Sequence, residues 1–141
     1  MASRTEPTTQ DVIAVAEFRS ALRHFLRRSE KIARQSRLTP QRYTLLMMIK
    51  GSPDGSEQST VTQLAERLQL AQSTVTELVR RAESAGLIER EQSQRDARVA
   101  HLRLTQDGDR RLMLAFTELE TERAQLRDAF SHLDGGVTGA G

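Results

Sequence analysis

The sequence predicts a mainly α-helical protein with one small β-hairpin. Three observations predict it. Apolar residues recur at helical spacing near both ends, as in Val15, Phe18, Leu22, Phe25, Leu26 and Ile32. The middle is cut by helix punctuation at Thr39-Pro40, Thr62 and Gly86. Between residues 87 and 104 the period shifts to that of extended chain on both sides of a polar stretch, EQSQRDAR.

The chain has 141 residues, a length that suits one domain. It is 37% hydrophobic and 4% aromatic, which allows a modest core under a polar helical surface. With no cysteine there is neither disulfide nor thiolate chemistry. The longest apolar run, LLMMI at 45–49, is far short of the roughly 20 residues of a membrane span. No stretch near the N-terminus pairs a basic segment with an apolar one, so no secretory signal is expected. These features predict a soluble, cytoplasmic protein.

Taken in order, residues 1–10 read as a disordered lead-in and 11–35 as the first helix. Thr39 caps a second helix with Pro40 at its first position, and that helix ends at Gly51. Residues 51–59, GSPDGSEQS, are a loop by composition. Thr62 is expected to cap a short helix carrying Leu64, Ala65 and Leu68. A tight turn at Leu70-Ala71-Gln72 leads into a helix over 73–85, stopped by Gly86. Residues 87–90 and 99–104 pair as the hairpin. Thr105 then caps a single last helix over 106–133, whose stripe of Leu112, Phe116, Leu119, Leu126, Phe130 and Leu133 is interrupted by Arg123. Residues 135–141 read as a flexible tail.

Two helices joined by a tight turn and followed by a hairpin make a winged helix-turn-helix, over about 39–104. On a wheel of the 73–85 helix, Val75, Leu78, Val79 and Ala82 share an arc of about 100° that faces a core. The other side presents groups suited to phosphates and base edges, and in a helix-turn-helix its N-terminal part enters the major groove. Gln72, Ser73, Thr74, Thr76, Glu77 and Arg80 are the candidate readers. On the hairpin tip, Arg95 and Arg98 suit a narrow minor groove, and Asp96 suits holding an arginine or the turn backbone.

These residues resemble the multiple-antibiotic-resistance regulator (MarR) family. The resemblance runs from about Asp11 to about Leu133. It rests on Ser73-Thr74-Val75-Thr76 with Leu78-Val79, on Gly86-Leu87-Ile88-Glu89-Arg90, and on Asp96-Ala97-Arg98 with Leu102-Arg103-Leu104-Thr105-Gln106-Asp107-Gly108. It implies a homodimeric transcription factor, commonly a repressor, on pseudopalindromic double-stranded DNA, released by a small and often phenolic ligand. It makes Arg98 the minor-groove residue, with Asp96 its structural partner. The helices at 11–35 and 106–133 become dimerisation helices, with Phe18, Leu22, Leu119, Leu126, Phe130 and Leu133 at the interface. The whole of 11–134 is then one domain. Two departures stand out. Ala71 replaces the usual Ser or Thr cap, so that Gln72 or Ser73 is expected to cap instead. A further C-terminal helix common in the family is expected to be missing or very short.

Charge supports a pairing of the two chain ends. Residues 1–42 carry nine bases and four acids, and 112–141 two bases and five acids, so the end helices should attract one another. No phosphate loop, nucleophile elbow or metal-ligand spacing is present, and His24, His101 and His132 are far apart, so neither enzyme, cofactor nor metal site is expected. Tyr43, Met47, Met48 and Phe18 read as core rather than cavity lining. The alternative to a DNA-binding regulator is a winged-helix module for protein association.

Overall fold

The computed structural model describes residues 5–134. The expected tail and the first four residues of the expected lead-in lie outside them. Eight elements follow: α1 (Thr9–Gln35), α2 (Pro40–Lys50), α3 (Val61–Leu68), α4 (Gln72–Ser84), β1 (Ile88–Gln92), β2 (Ala100–Leu104), α5 (Gln106–Glu118) and α6 (Glu120–Asp134).

Threonine sets four of the helix starts. Thr8 and Asp11 form a reciprocal capping box, with Thr8 N–H on the Asp11 carboxylate (2.7 Å) and Asp11 N–H on the Thr8 hydroxyl (3.2 Å). That box moves the start of α1 to Thr9, so residues 9 and 10 belong to the helix and not to the lead-in. Thr39 caps α2 as expected, accepting from Arg42 N–H at 3.1 Å. The cap of α3 is Thr60, not Thr62: Thr60 and Gln63 exchange side-chain and backbone bonds in a second capping box. Thr105 caps α5 by accepting from Gly108 N–H at 3.1 Å and donates its hydroxyl proton to the Gly86 carbonyl at 2.6 Å.

The strands pair antiparallel, with Ile88 opposite Leu104 and Arg90 opposite Leu102. Ser59, at the end of the 51–59 loop, adds a short bridge on the far side of β2 through two backbone bonds to Leu102. The core gathers Ile32 and Leu38, then Tyr43, Leu46 and Ile49 of α2, with Leu64, Val75, Val79, Leu87, Leu102 and Leu112 around them. Met47 and Met48 pack against it, and Phe18 lies half-buried on α1.

The single last helix is corrected to two, broken at Leu119. Leu119 N–H reaches back only to Phe116, which ends α5, and Leu119 itself is 1% exposed. Arg123 donates to the Phe116 carbonyl and stacks its guanidinium 3.7 Å over the Phe116 ring. It thereby adds a second donor to a carbonyl at the helix end. The residue that interrupts the apolar stripe is what finishes the break. The stretch expected to be one helix thus holds a second, α6, fifteen residues long, and any further helix after it would lie outside the described residues.

As the charges suggested, α1 and α6 pack together within one chain. Phe18 and Phe130 meet edge to face with ring centres 6.0 Å apart, and Arg28 pairs with Glu122 at 3.3 Å. Among the described residues no helix is long and apolar enough to cross a membrane.

Candidate nucleic-acid interface

The site is built on α4 and the hairpin. Helix α3 ends at Gln69 in the left-handed region (φ 56°), and two residues later α4 begins. Val75, Val79 and Ala82 are fully buried, which fixes the rotation of α4 about its axis. That rotation leaves Gln72, Ser73, Thr74, Thr76 and Arg80 exposed together. The first position is held by a tie across the turn, Gln72 Nε2 to Thr62 Oγ1 at 3.4 Å. Ala71 is the N-cap and no side chain bonds to it, so neither Gln72 nor Ser73 takes over capping as expected. Glu77 is half-buried and pairs with both Arg80 and Arg81.

The hairpin tip is ordered by its own side chains. Ser93 Oγ accepts from the N–H groups of Arg95 (3.2 Å) and Asp96 (3.4 Å). Asp96 Oδ1 accepts from Arg98 N–H at 3.0 Å and lies 3.6 Å from Arg98 Nε. The Arg98 side chain is nonetheless 94% exposed and projects from the tip. Asp96 thus makes both contacts foreseen for it, while the part played by Ser93 went unforeseen. The Ser-x-x-Asp spacing, which recurs in ordered turns, was the available signal.

One contact, absent from the sequence-level picture, ties the two halves of the site. Arg90 on β1 donates to Glu83 at the end of α4 at 2.7 Å. With the Thr105 bond to Gly86, it fixes the angle between hairpin and helix. Arg103 spans Glu89 (3.8 Å) and Glu91 (3.3 Å) on the outer face of the same strands.

The residues expected at a dimer interface separate into two sets. Leu119 is corrected: buried in the core of one chain, it has no surface to give a partner. Phe18, Leu22, Leu126 and Leu133 are half-buried, and Phe130 is 58% exposed. Further apolar side chains stand exposed on the same end helices and on α5, among them Val12, Val15, Leu26 and Leu114. Val15 and Leu26 belong to the apolar pattern of the first helix, yet the chain leaves them uncovered.

Three buried polar atoms lie on α1, α2 and α6. Ser29 Oγ, Tyr43 OH and Glu122 Oε2 are buried without a hydrogen-bond partner. Burial pushes the Tyr43 hydroxyl above its ordinary pKa, and the Arg123 charge works against that shift. Among the described residues no group of three or more His, Asp or Glu could hold a metal ion.

A model of the MarR family matches residues 38–99, which run from the turn before α2 to the hairpin tip. The HTH-type transcriptional regulator YsmB of Bacillus subtilis is 29% identical over 128 residues, spanning 87% of this chain and 82% of YsmB. Over residues 38–99 the chain matches the MarR family. Its fold is that of solved MarR structures. AbsC, a MarR family transcriptional regulator from Streptomyces coelicolor, superposes with a TM-score of 0.63 at 22% identity, over 93% of this chain and 84% of AbsC. A point mutant of MepR from S. aureus, solved bound to an oligodeoxyribonucleotide, gives 0.62 at 20% identity, over 94% of this chain and all of the mutant. The family model stops short of α1, α5 and α6, and it is the whole-chain superpositions that extend the MarR fold to the end helices. YsmB and AbsC are both described as transcriptional regulators.

Proposed function

We propose that this MarR-family chain is a cytoplasmic, homodimeric repressor that binds pseudopalindromic double-stranded DNA sequence-specifically and leaves it when a small aromatic ligand binds. The observation that carries the DNA reading is the pairing of an exposed polar helix face with a projecting arginine on a hairpin locked to that helix by Glu83 and Arg90. Gln72, Ser73, Thr74, Thr76 and Arg80 face the major groove, and Arg95 and Arg98 the minor groove. Asp96 holds the wing in shape. The single domain spans 11–134, with Phe18, Leu22, Leu126, Phe130 and Leu133 on the end helices serving the dimer.

Arg98→Ala tests the wing. Affinity for every duplex should fall, by about 1–3 kcal/mol at an A·T-rich site, the range of one mismatched base pair. Gel shifts over a salt series read it. Binding unchanged within a factor of two would take the wing out of the groove. Wild-type binding that did not weaken with salt would favour the protein-association module instead, because phosphate contact releases counterions.

The ligand reading rests on the Tyr43 hydroxyl, buried without a partner and within the influence of the Arg123 charge. A phenolic carboxylate offers a hydroxyl to Tyr43 and an anion to Arg123. Because a ligand that binds only the folded state stabilises it, salicylate at about 100 times its Kd should add about 2.7 kcal/mol to stability. Melting scans on the wild type and Arg123→Ala check this, and an equal shift in both would remove Arg123 from the ligand site.

A further inference from the structure

We infer that Glu77 is a specificity-determining gate on α4, holding Arg80 and Arg81 back from nonspecific phosphate contact. The inference rests on the DNA-binding reading above. Glu77 sits three and four residues before the two arginines, the spacing at which helical side chains meet. Its Oε2 accepts from Arg80 Nη2 and its Oε1 from Arg81 Nε at 3.2 Å, so one carboxylate occupies both guanidinium groups and has no oxygen left over. The arginine side chains are 70% and 63% exposed. Pairs this exposed are weak and open readily to a competing anion.

On a duplex that competitor is phosphate. On random sequence, phosphate contact supplies nearly all the affinity. There each arginine turns its fork to the backbone at the expense of its Glu77 contact, which leaves a less well paired carboxylate in a strongly negative potential. At a matching site, base contacts from Gln72 and Thr76 hold α4 in one pose. In that pose Glu77 keeps the Arg80 fork oriented, and no carboxylate is stranded. The penalty therefore falls on the wrong partner, and a difference in affinity is what specificity consists of.

The test compares the wild type with Glu77→Gln on two probes: a duplex selected by the wild type from a random pool, and a scrambled duplex of the same composition. Glu77→Gln should bind the scrambled duplex about three- to tenfold tighter. The slope of log affinity against log salt should steepen by about 1–2 on that probe, one phosphate contact for each freed arginine. The selected-to-scrambled ratio should fall. In an Arg80→Ala, Arg81→Ala background the same change should lose its effect on both the affinity and the slope, because the gate acts only through those side chains. Affinity for the scrambled duplex unchanged within twofold would overturn the gate. So would weaker binding to the selected duplex alone, which would mark Glu77 as a base reader accepting from cytosine. A wild type that bound no duplex would overturn the DNA reading itself, and the gate with it.

Discussion

Phe130→Asp should turn the protein into monomers and cost it operator binding. Phe130 is 58% exposed in the single chain, and Val12, Val15, Leu26 and Leu114 are uncovered as well on α1 and α5. A second copy laid over Phe130 would desolvate the ring. An aspartate there would be an unpaired charge taken out of water, at a cost of roughly 3–5 kcal/mol, or about 10²–10⁴ in the dimer dissociation constant. Operator affinity should fall by a comparable factor, because the second half-site then loses the advantage of intramolecular binding. Within the chain the loss is smaller. The edge-to-face contact with Phe18 contributes about 0.5–1.5 kcal/mol, so the variant should still fold. Glu120→Gln, on the exposed start of α6, should leave assembly unchanged. Sedimentation with a gel shift at matched concentration reads both quantities. A dimeric Phe130→Asp protein with intact operator binding would show that α6 does not build the interface.

Gly108→Ala should be the most destabilising alanine placed at any of the described glycines. A Cβ at Gly108 would lie 2.2 Å from the Leu87 carbonyl oxygen and 3.0 Å from its carbon. Both are backbone atoms, and the oxygen already accepts from Thr105 N–H at 3.0 Å. The first turn of α5 must therefore lift off β1, breaking that bond and opening the core beside Leu87 and Leu112. A loss of about 3 kcal/mol is expected, the upper end of overpacking costs. Gly86→Ala makes the comparison sharp. Gly86 has φ +75° but nothing within 4 Å of an added Cβ, so only the left-handed backbone penalty of about 1–2 kcal/mol applies. Urea unfolding of the two variants separates crowding from backbone strain. If Gly108→Ala proved the milder, α5 would be free to slide on the hairpin.

The parts of this fold legible in the sequence are those whose cause is local. Thr39-Pro40 and Thr105 announce helix starts because capping depends on residues within one turn. The buried side of α4 is legible for a related reason, since Val75, Val79 and Ala82 obey one period. Even local signals can compete, as Thr60 and Thr62 show. Both are plausible caps, and only Thr60 has a glutamine at the third position to complete the box. The break at Leu119 was illegible because no glycine or proline marks it. It is stabilised from a distance by Arg123, which on a helical wheel looks like a flaw in the stripe. In the site, the polar residues of α4 and the arginines of the tip could be named from type and position. The bond from Arg90 to Glu83 could not, because it joins two elements whose relative angle only the folded core determines.

That break also has a mechanical consequence. Helix α5 is thirteen residues long, a rod of about 20 Å at 1.5 Å rise per residue. One end is bonded to the hairpin through Thr105 and pressed on Leu87 at Gly108; the other stops at Leu119, where α6 turns away. Such a rod is a lever with its fulcrum at Leu119. A rotation of about 5° there carries the hairpin end through about 2 Å, two-thirds of a hydrogen-bond length. A change of that size in how α6 is seated would be felt at the base of the hairpin, where Thr105 and Gly108 meet Gly86 and Leu87.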